Sequence, residues 1–355
     1  MGEAMELYGQ NLTKRELEAR LGRVENHVGL RKVRLAEGPE AGVELIWVRT
    51  GGGLSYFVNP SRALDIGLAE FCGVPFSWHS VVGEMHPALF EPRGTEWLRT
   101  APGGLLITCG LTQVGAPCVD QGEELGLHGR VHHIAARQVG LSADWDGDEY
   151  HMTVSGMVEE ARIFGENLRL RRQIRSQAGR NCIRIDDRVE NVGFAPVPHM
   201  ILYHFNFGFP LLSEQTTIHF PQGTVRARDE GVPVAGFDQF ESPLPGYRER
   251  VYYHELEGPP GAASQMAEVT ISTPRFPVGG QEVPFTVHLR WDRETLPCLV
   301  EWKMPAAGVY ALGIEPANCH VEGRAVERAR GTLQSLQPGE TRHYHLEVEV
   351  ELRRS

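Results

Sequence analysis

The chain has 355 residues, of which 41% are hydrophobic, and its 46 acidic residues against 35 basic residues give a net charge of −11. This length allows one large β domain or two domains of ordinary size. The negative charge argues against nucleic acid and anionic membrane surfaces as default partners, because both attract positively charged proteins. It sets no limit on a small neutral ligand.

Several signals of targeting are missing from the sequence. The charged N-terminal segment 1–23 contains no apolar stretch of the kind found in signal peptides, and no run of the chain approaches 18 apolar residues. Six cysteines are scattered without a C-x-x-C pair, a pattern typical of reduced thiols. We therefore expect a cytoplasmic protein that does not associate with membranes.

The N-terminal residues predict a helical appendage. Thr13 is a candidate N-cap for a helix from Lys14 to Val24, because Glu16 follows three residues later and completes a capping box. We predict that residues 1–40 form an appendage with this short helix and that residues 41–355 form a single domain.

Strand signals begin immediately after this appendage. Residues 43–48 and 54–58 are rich in β-formers and flank the glycines at 51–53, which predicts a hairpin. Residues 168–174 and 182–189 alternate apolar and polar side chains and are joined through Ala178-Gly179. They therefore predict antiparallel strands with one face in water.

The alternating pattern continues to the end of the chain. Residues 343–352 alternate cleanly, and the 40 glycines and 23 prolines divide the sequence into short segments throughout. Strand signals at short spacing favour a mainly all-β fold, one large antiparallel β-sandwich, over an α/β fold.

Three titratable residues stand in unusual surroundings. Glu315 lies where an apolar run, residues 309–314, gives way to a turn, and an ionised carboxylate there is costly to bury unless it is paired. His128 stands in a Leu-His-Gly segment, and His204 stands among aromatic residues that lower an imidazole pKa by desolvation. Together they make a plausible acid–base set, although His128 alone is more typical of a structural histidine and His204 fits a core strand equally well.

Arg62 has two readings of its own. It follows a strand in a turn of small residues, where its guanidinium is placed to donate several hydrogen bonds to hydroxyl groups. The alternative is a structural arginine paired with Asp65.

No metal or nucleotide motif is evident. Cys118, His128, His132 and His133 have no recognised ligand spacing, so no metal is expected. A glycine-rich phosphate loop, a G-x-S-x-G elbow, an H-E-x-x-H motif and a dinucleotide fingerprint are also missing. Hydride transfer, ATP chemistry and serine hydrolysis are therefore disfavoured.

Taken in order, these segments resemble the galactose mutarotase-like (aldose 1-epimerase) superfamily, and more closely an uncharacterised aldose 1-epimerase-like branch of it. The resemblance covers residues 45–350. It is carried by an Arg after an early strand, a Leu-His-Gly segment, a His followed by Phe-Asn, and a late Glu-Pro, which match Arg62, His128, His204 and Glu315.

The resemblance implies a large β-sandwich and an isomerase that interconverts sugar anomers without a metal or other cofactor. Glu315 would be the base, His204 the acid, and His128 would hydrogen-bond the ring oxygen or a neighbouring hydroxyl. A small-molecule sugar is the expected partner, and no segment has the pattern of an oligomer interface.

The resemblance also implies residues that bind substrate: Arg62, Asn206, Arg130 and Asp238. Arg130 stands where the family has a second Gly after Leu-His-Gly. Asp238, with Asp292 as the next candidate, is offered for an aspartate that the family carries between the second His and the Glu.

Two other classes of function stay open on the sequence. The sandwich fits a non-catalytic sugar-binding module. It also fits an enzyme that catalyses another proton transfer, such as epimerisation at another carbon or elimination in a uronate, with Arg62, Arg130 and Arg162 available to meet an acidic group.

Overall fold

A computed structural model describes residues 5–258 and 266–352, most of which lie in antiparallel β-strands. The first strands and the first helix are β1 (Met5–Leu7), β2 (Gln10–Leu12), α1 (Lys14–Glu18), β3 (Gly29–Arg34), β4 (Glu44–Arg49), β5 (Leu54–Asn59), β6 (Asp65–Phe71), β7 (Val74–Pro75), β8 (Leu106–Leu111), β9 (Cys118–Asp120), β10 (Glu123–Leu125), β11 (Arg137–Asp146) and β12 (Glu149–Ala161). The later elements are β13 (Asn167–Gln177), β14 (Cys182–Asn191), β15 (Val197–Pro198), β16 (Met200–Phe207), β17 (Thr217–His219), β18 (Gly223–Ala227), β19 (Arg250–Leu256), β20 (Met266–Val278), β21 (Gln281–Asp292), β22 (Cys298–Met304), β23 (Ala311–Ala317), α2 (Arg324–Arg330), β24 (Ser335–Leu336) and β25 (Thr341–Leu352). Short 3₁₀ helices lie at Val24–Asn26, Gly38–Glu40, Pro87–Leu89, Glu96–Arg99 and Val131–His133.

Two large sheets account for most of these strands. An 11-stranded sheet has the order β18-β19-β22-β23-β16-β8-β6-β5-β4-β3, with β7 paired to β6, and an 8-stranded sheet has the order β11-β12-β13-β14-β25-β21-β20-β17. All pairings within both sheets are antiparallel among the described strands. The prediction of a mainly all-β, large antiparallel sandwich is confirmed.

The main hydrophobic core lies between the two sheets. Phe71 of the larger sheet packs against Phe285 of the smaller one at a ring-centroid distance of 5.3 Å, and Tyr203 approaches Tyr344 at 6.0 Å. Because successive strand residues point to opposite faces, each strand sends alternate side chains into this core. Burial of that apolar area is the main stabilising contribution, at roughly 25 cal/mol per Å².

A charged network crosses the core. Arg172 on β13 is fully buried and donates to Asp65 at 2.8 Å and to Asp187 at 2.6 Å, and it also donates to the hydroxyl of Thr108 at 2.8 Å. Asp187 in turn accepts the hydroxyl of Tyr203 on β16 at 2.7 Å. The network therefore ties the smaller sheet to the strands at the centre of the larger one.

The predicted hairpin and strand pairs are confirmed. β4 and β5 pair antiparallel with Ile46 opposite Val58, and β13 pairs with β14 over eight residues of each strand. β13 and β25 alternate buried and exposed positions, as the sequence pattern requires.

The N-terminal helix is shorter than predicted. Thr13 caps it through the predicted box with Glu16, but α1 ends at Glu18 and not at Val24. Gly22 lies in the remaining segment, and glycine disfavours a continuing helix because it gives up the most backbone freedom. Neither described helix has the length and apolar character needed to cross a membrane.

The boundary predicted at residue 40 falls between two paired strands. β3 lies before it and forms the edge of the larger sheet next to β4. The division into an appendage at 1–40 and a domain at 41–355 stays a prediction.

Candidate active site

A cavity of about 590 Å³ opens on the face of the larger sheet that points away from the main core. Its floor includes His204 and Asn206 of β16, whereas the alternate residues Tyr203 and Phe205 face the core between the sheets. The two-residue period of a strand thus separates a polar, cavity-facing set from an apolar, core-facing set within one short sequence.

A histidine and a glutamate meet at this floor. Nε2 of His204 lies 3.1 Å from Oε1 of Glu315 on β23, and both residues line the cavity. Glu315 is 3% exposed. This pair joins two residues that are more than a hundred positions apart in the sequence.

Glu315 lies inside a strand, not at its end. The sequence places it where an apolar run gives way to a turn, but β23 continues through Pro316 and all of its residues are buried. Proline has no N–H to donate, and the ladder between β16 and β23 pairs neither Tyr203 nor His204 with a β23 residue. Glu315 and Pro316 thus stay within β23 through their pairing with β22, whereas the pairing of β23 with β16 is interrupted beside His204.

Burial shifts the pKa values of both partners. Burial, reinforced by the negative charge of Glu249 and opposed by Arg228, raises the pKa of Glu315 to about 8. Burial, with a smaller contribution from nearby His128, lowers the pKa of His204 to about 3. Near neutral pH these shifts leave one proton on the pair, on the carboxyl group.

His128 approaches the pair from a loop. Its ring lies 6.1 Å from that of His204, and burial lowers its pKa to about 4. Its φ of +55° is unusual for a residue with a side chain, and the following Gly129 is packed so closely that a Cβ atom there would lie 2.4 Å from the carbonyl oxygen of Gly110. The tight Leu-His-Gly turn thus fixes where the imidazole enters the cavity.

Aromatic side chains that sequence reasoning missed form the walls. Trp302 on β22 lies 5.7 Å from the His204 ring and 5.7 Å from Trp78, both edge-on, and Trp97 lies 5.0 Å from the His128 ring. Such faces bind the C–H groups of sugar rings. A strand prediction for β22 would have placed Trp302 and Met304 on one sheet face, and both line the cavity.

Arg228 and Glu249 also belong to the site and were not predicted from the sequence. They line the cavity and form an ion pair at 3.1 Å, and Glu249 also accepts the indole N–H of Trp302 at 3.0 Å. Arg228 further pairs with Asp229 at 2.7 Å. Glu249 is an acidic residue in the interval between His204 and Glu315, the interval for which Asp238 is the predicted ligand.

The structure brings together four of the predicted site residues: Glu315, His204, His128 and Asn206. The Asn206 side-chain amide is oriented by bonds to the backbone oxygens of Gly104 at 3.1 Å and His204 at 3.0 Å.

Three predicted substrate ligands do not line this cavity. Arg62 is fully buried and donates to the carbonyl of Met85, and the carboxyl of Glu84 also interacts with its charge. Arg130 and Asp238 are exposed elsewhere on the surface. Arg62 is away from the cavity because the turn after β5 directs its side chain into the protein. A role for these three in binding substrate has no support from the cavity geometry.

The other histidines near His128 are engaged elsewhere. Nδ1 of His132 lies 2.6 Å from Oδ2 of Asp65, and Nε2 of His133 lies 2.9 Å from the hydroxyl of Thr100. All six cysteines are free.

Gly313 leaves the space that the pair occupies. A Cβ atom at this position would lie 2.8 Å from Cε1 of His204 and 2.9 Å from Oε1 of Glu315. We expect Gly313→Ala to keep the fold and to slow any reaction of the pair by about 10²-fold, the effect of a misplacement near 1 Å. Turnover and far-ultraviolet circular dichroism measure the two effects. Gly22→Ala is the control, since no atom lies within 4 Å of a Cβ built there, its φ is not positive and it lies outside the cavity lining. Equal turnover of both variants would contradict the expectation.

Solved structures similar to this one include sugar epimerases by name. A Klebsiella pneumoniae protein described as a putative aldose 1-epimerase superposes with a TM-score of 0.81 at 21% identity, covering 90% of this chain and 83% of that one. Slr1438 of Synechocystis gives 0.62 at 15% identity, covering 90% and 100%. Galactose 1-epimerase of Lactobacillus acidophilus gives 0.55 at 12% identity, covering 92% and 100%.

These similarities identify the fold as a galactose mutarotase-like sandwich. No curated protein matches the chain. The family model called domain of unknown function DUF4432 matches residues 40–350. The chain therefore belongs to the DUF4432 family.

Proposed function

We propose that this protein is an aldose 1-epimerase-like isomerase, a mutarotase that interconverts the α and β anomers of a sugar. The observation that carries the proposal is the His204–Glu315 contact of 3.1 Å on the floor of an aromatic-walled cavity. An acid and a base that share one proton in a buried site suit a reversible proton transfer at neutral pH.

The reaction follows from that shared proton. When the proton passes from Glu315 to His204, the pair becomes a carboxylate and an imidazolium. The carboxylate takes the proton of the C1 hydroxyl, the bond from C1 to the ring oxygen breaks, C1 becomes an aldehyde, and the imidazolium protonates the ring oxygen. Glu315 is then protonated and His204 neutral, the form that closes the ring by the reverse steps after the aldehyde has rotated. His128 hydrogen-bonds the ring oxygen or a neighbouring hydroxyl.

The remaining lining residues bind and orient the sugar. Trp302 and Trp78 offer faces for stacking beside His204. Arg228, Glu249 and the amide of Asn206 supply donors and acceptors for hydroxyl groups.

The proposal predicts the pH dependence of the rate. Glu315 has a pKa near 8 and His204 a pKa near 3, so the pair holds one proton between these values and none above about 8. Because each ring opening needs that proton, we expect kcat/KM to be level around neutrality and to fall tenfold per unit above about pH 8. Polarimetry corrected for the uncatalysed reaction measures this, and a rate that rises steadily to pH 10 would contradict it.

Proton NMR of freshly dissolved α-anomers tests the function itself. Acceleration of anomer exchange by the wild type, and not by a variant of the pair, would support the proposal. Binding of sugars without acceleration would indicate a binding module. Loss of the C5 proton signal or formation of an unsaturated product from a uronate would indicate a different proton-transfer enzyme.

A further inference from the structure

The wall of the cavity beside His128 is apolar. It is formed by the 3₁₀ helix at Glu96–Arg99 and the residues after it, which contribute Trp97, Leu98 and Ala101 to the lining. The indole nitrogen of Trp97 is buried away from the cavity surface, and the hydroxyl of Thr95 stands at the solvent-exposed start of this wall. A ligand group in contact with this wall therefore meets mainly carbon atoms.

The charged groups of the lining lie around Trp302. Glu249 is bonded to Trp302, and Arg228 is paired with both Glu249 and Asp229. Arg228 is the one Lys or Arg among the described residues of the lining, and its charge is already matched by these carboxylates. An anionic sugar entering the cavity would meet an arginine that is already paired and the carboxylate of Glu249.

The chemistry of the pair orients a sugar in the cavity. In the proposed reaction C1 and the ring oxygen lie at His204 and Glu315, and we take the ring oxygen as the group that His128 bonds. C6 is attached to C5, the other ring carbon bonded to that oxygen. The group on C6 therefore points to the side of His128, where Trp97 packs on the imidazole and Leu98 follows.

We propose that the cavity selects neutral sugars with a methyl group at C6, the 6-deoxyhexoses, over their hydroxymethyl parents and over uronates. This rests on the proposed mutarotase function for the orientation of C1. A hydroxyl held against the apolar wall loses its water without gaining a partner, whereas a methyl group gains contact area. A carboxylate at the same place is disfavoured by desolvation, and Arg228, the lining arginine, is already paired.

Matched sugars that differ at C6 alone test the proposal: D-glucose, 6-deoxy-D-glucose and D-glucuronate, and the corresponding galactose set. Binding is titrated through tryptophan fluorescence with Glu315→Gln, so that ligand preference is measured apart from turnover. We expect the 6-deoxy sugar to bind about tenfold more tightly than its parent, which corresponds to about 1.4 kcal/mol, and the uronate to bind more weakly than the parent. Equal or reversed order, or no binding of any sugar in the panel, would overturn the proposal.

Leu98→Ser separates the wall from the rest of the site. It should reduce the preference for 6-deoxy over parent sugar by about threefold, because the methyl group loses an apolar contact. Leu89→Ser is the matched control, since Leu89 is 56% exposed against 58% for Leu98 but does not line the cavity. A preference unchanged in Leu98→Ser would count against the wall.

Anomer exchange by the wild type on the same sugars keeps the two proposals distinguishable. If no sugar is accelerated but the order of affinities holds, the mutarotase function fails and the ligand class stands. If exchange is accelerated with uronates preferred, the function stands and the ligand class fails.

Discussion

Replacing Glu315 by Gln is expected to slow anomer interconversion by about 10²- to 10⁴-fold, the usual contribution of a general acid or base. The amide keeps the size of the carboxyl group and its contact with His204, but it cannot take the proton of the C1 hydroxyl. Saturation of the rate with sugar concentration should still be seen, since the walls of the cavity are unchanged. NMR exchange rates measure the loss, and a fully active variant would exclude Glu315 as the base.

The same substitution should make the protein more stable at alkaline pH. The pKa of Glu315 rises from 4.5 to about 8 on folding, so the folded state binds this proton more tightly than the unfolded state does. Wild-type stability therefore falls as pH rises from about 4.5 through 8, and Gln escapes that loss. At pH 9 we expect the free energy of unfolding of the variant to exceed that of the wild type by on the order of 5 kcal/mol.

Chemical unfolding at pH 4 and pH 9 checks this sign. The difference between variant and wild type should be small at pH 4 and appear at pH 9. Glu322→Gln is the control, because Glu322 lies outside the cavity lining, pairs with Arg330 at 2.8 Å, and has a lowered pKa. That variant should keep its turnover and gain no stability at pH 9. A gain in both variants would show that the effect does not come from the raised pKa of Glu315.

Arg172→Met is expected to destabilise the protein by about 3–5 kcal/mol, the cost of leaving a buried charge without its partner. Methionine has nearly the length of arginine, so little space is opened. What remains is two carboxylates, Asp65 and Asp187, in the core without the guanidinium that bonds both. The loss should be smaller in acid. The pKa of Asp65 is lowered in the folded wild type, and a carboxyl group with a depressed folded-state pKa contributes stability that disappears as the pH falls.

Arg175→Met is the matched control for this variant. Arg175 lies on the same strand, but its side chain is half exposed and its bridge with Asp186 is at the surface. Exposed ion pairs contribute about 0–1 kcal/mol, so the shift in the urea midpoint should be small. Equal shifts for the two variants would show that the network across the core has no special weight.

The fold was predictable where one sheet face meets water. Strands such as β13 and β25 alternate in sequence because they alternate in burial, and a two-residue period has one structural meaning. The strands at the centre of the larger sheet lack that contrast. All seven residues of β23 are buried, since both faces are covered, and the sequence therefore suggested a turn after Ile314.

Site residues could be predicted where an ionisable side chain stands within an apolar stretch of sequence. Glu315 and His204 stand out because ionisable groups are rare within apolar runs. Trp97 and Arg228 gave no such signal, since a tryptophan or an arginine in a loop is unremarkable until the fold places it. Arg62 was predicted to bind substrate but lies inside the protein. It precedes a turn in which Ala63 and Leu64 have positive φ values of +51° and +58°. The residue type alone does not indicate in which direction the side chain points.

The position of β23, between β22 and β16, has a consequence for how new specificities arise in this scaffold. The reacting pair stands on two neighbouring strands of the larger sheet, so its geometry is set when the domain folds and does not depend on the ligand. The wall at Glu96–Arg99 belongs to a connection between strands, which tolerates substitution and changes of length far better than a central strand does. Exchange of that connection between related proteins should therefore transfer sugar preference as a module, while the proton chemistry is inherited unchanged.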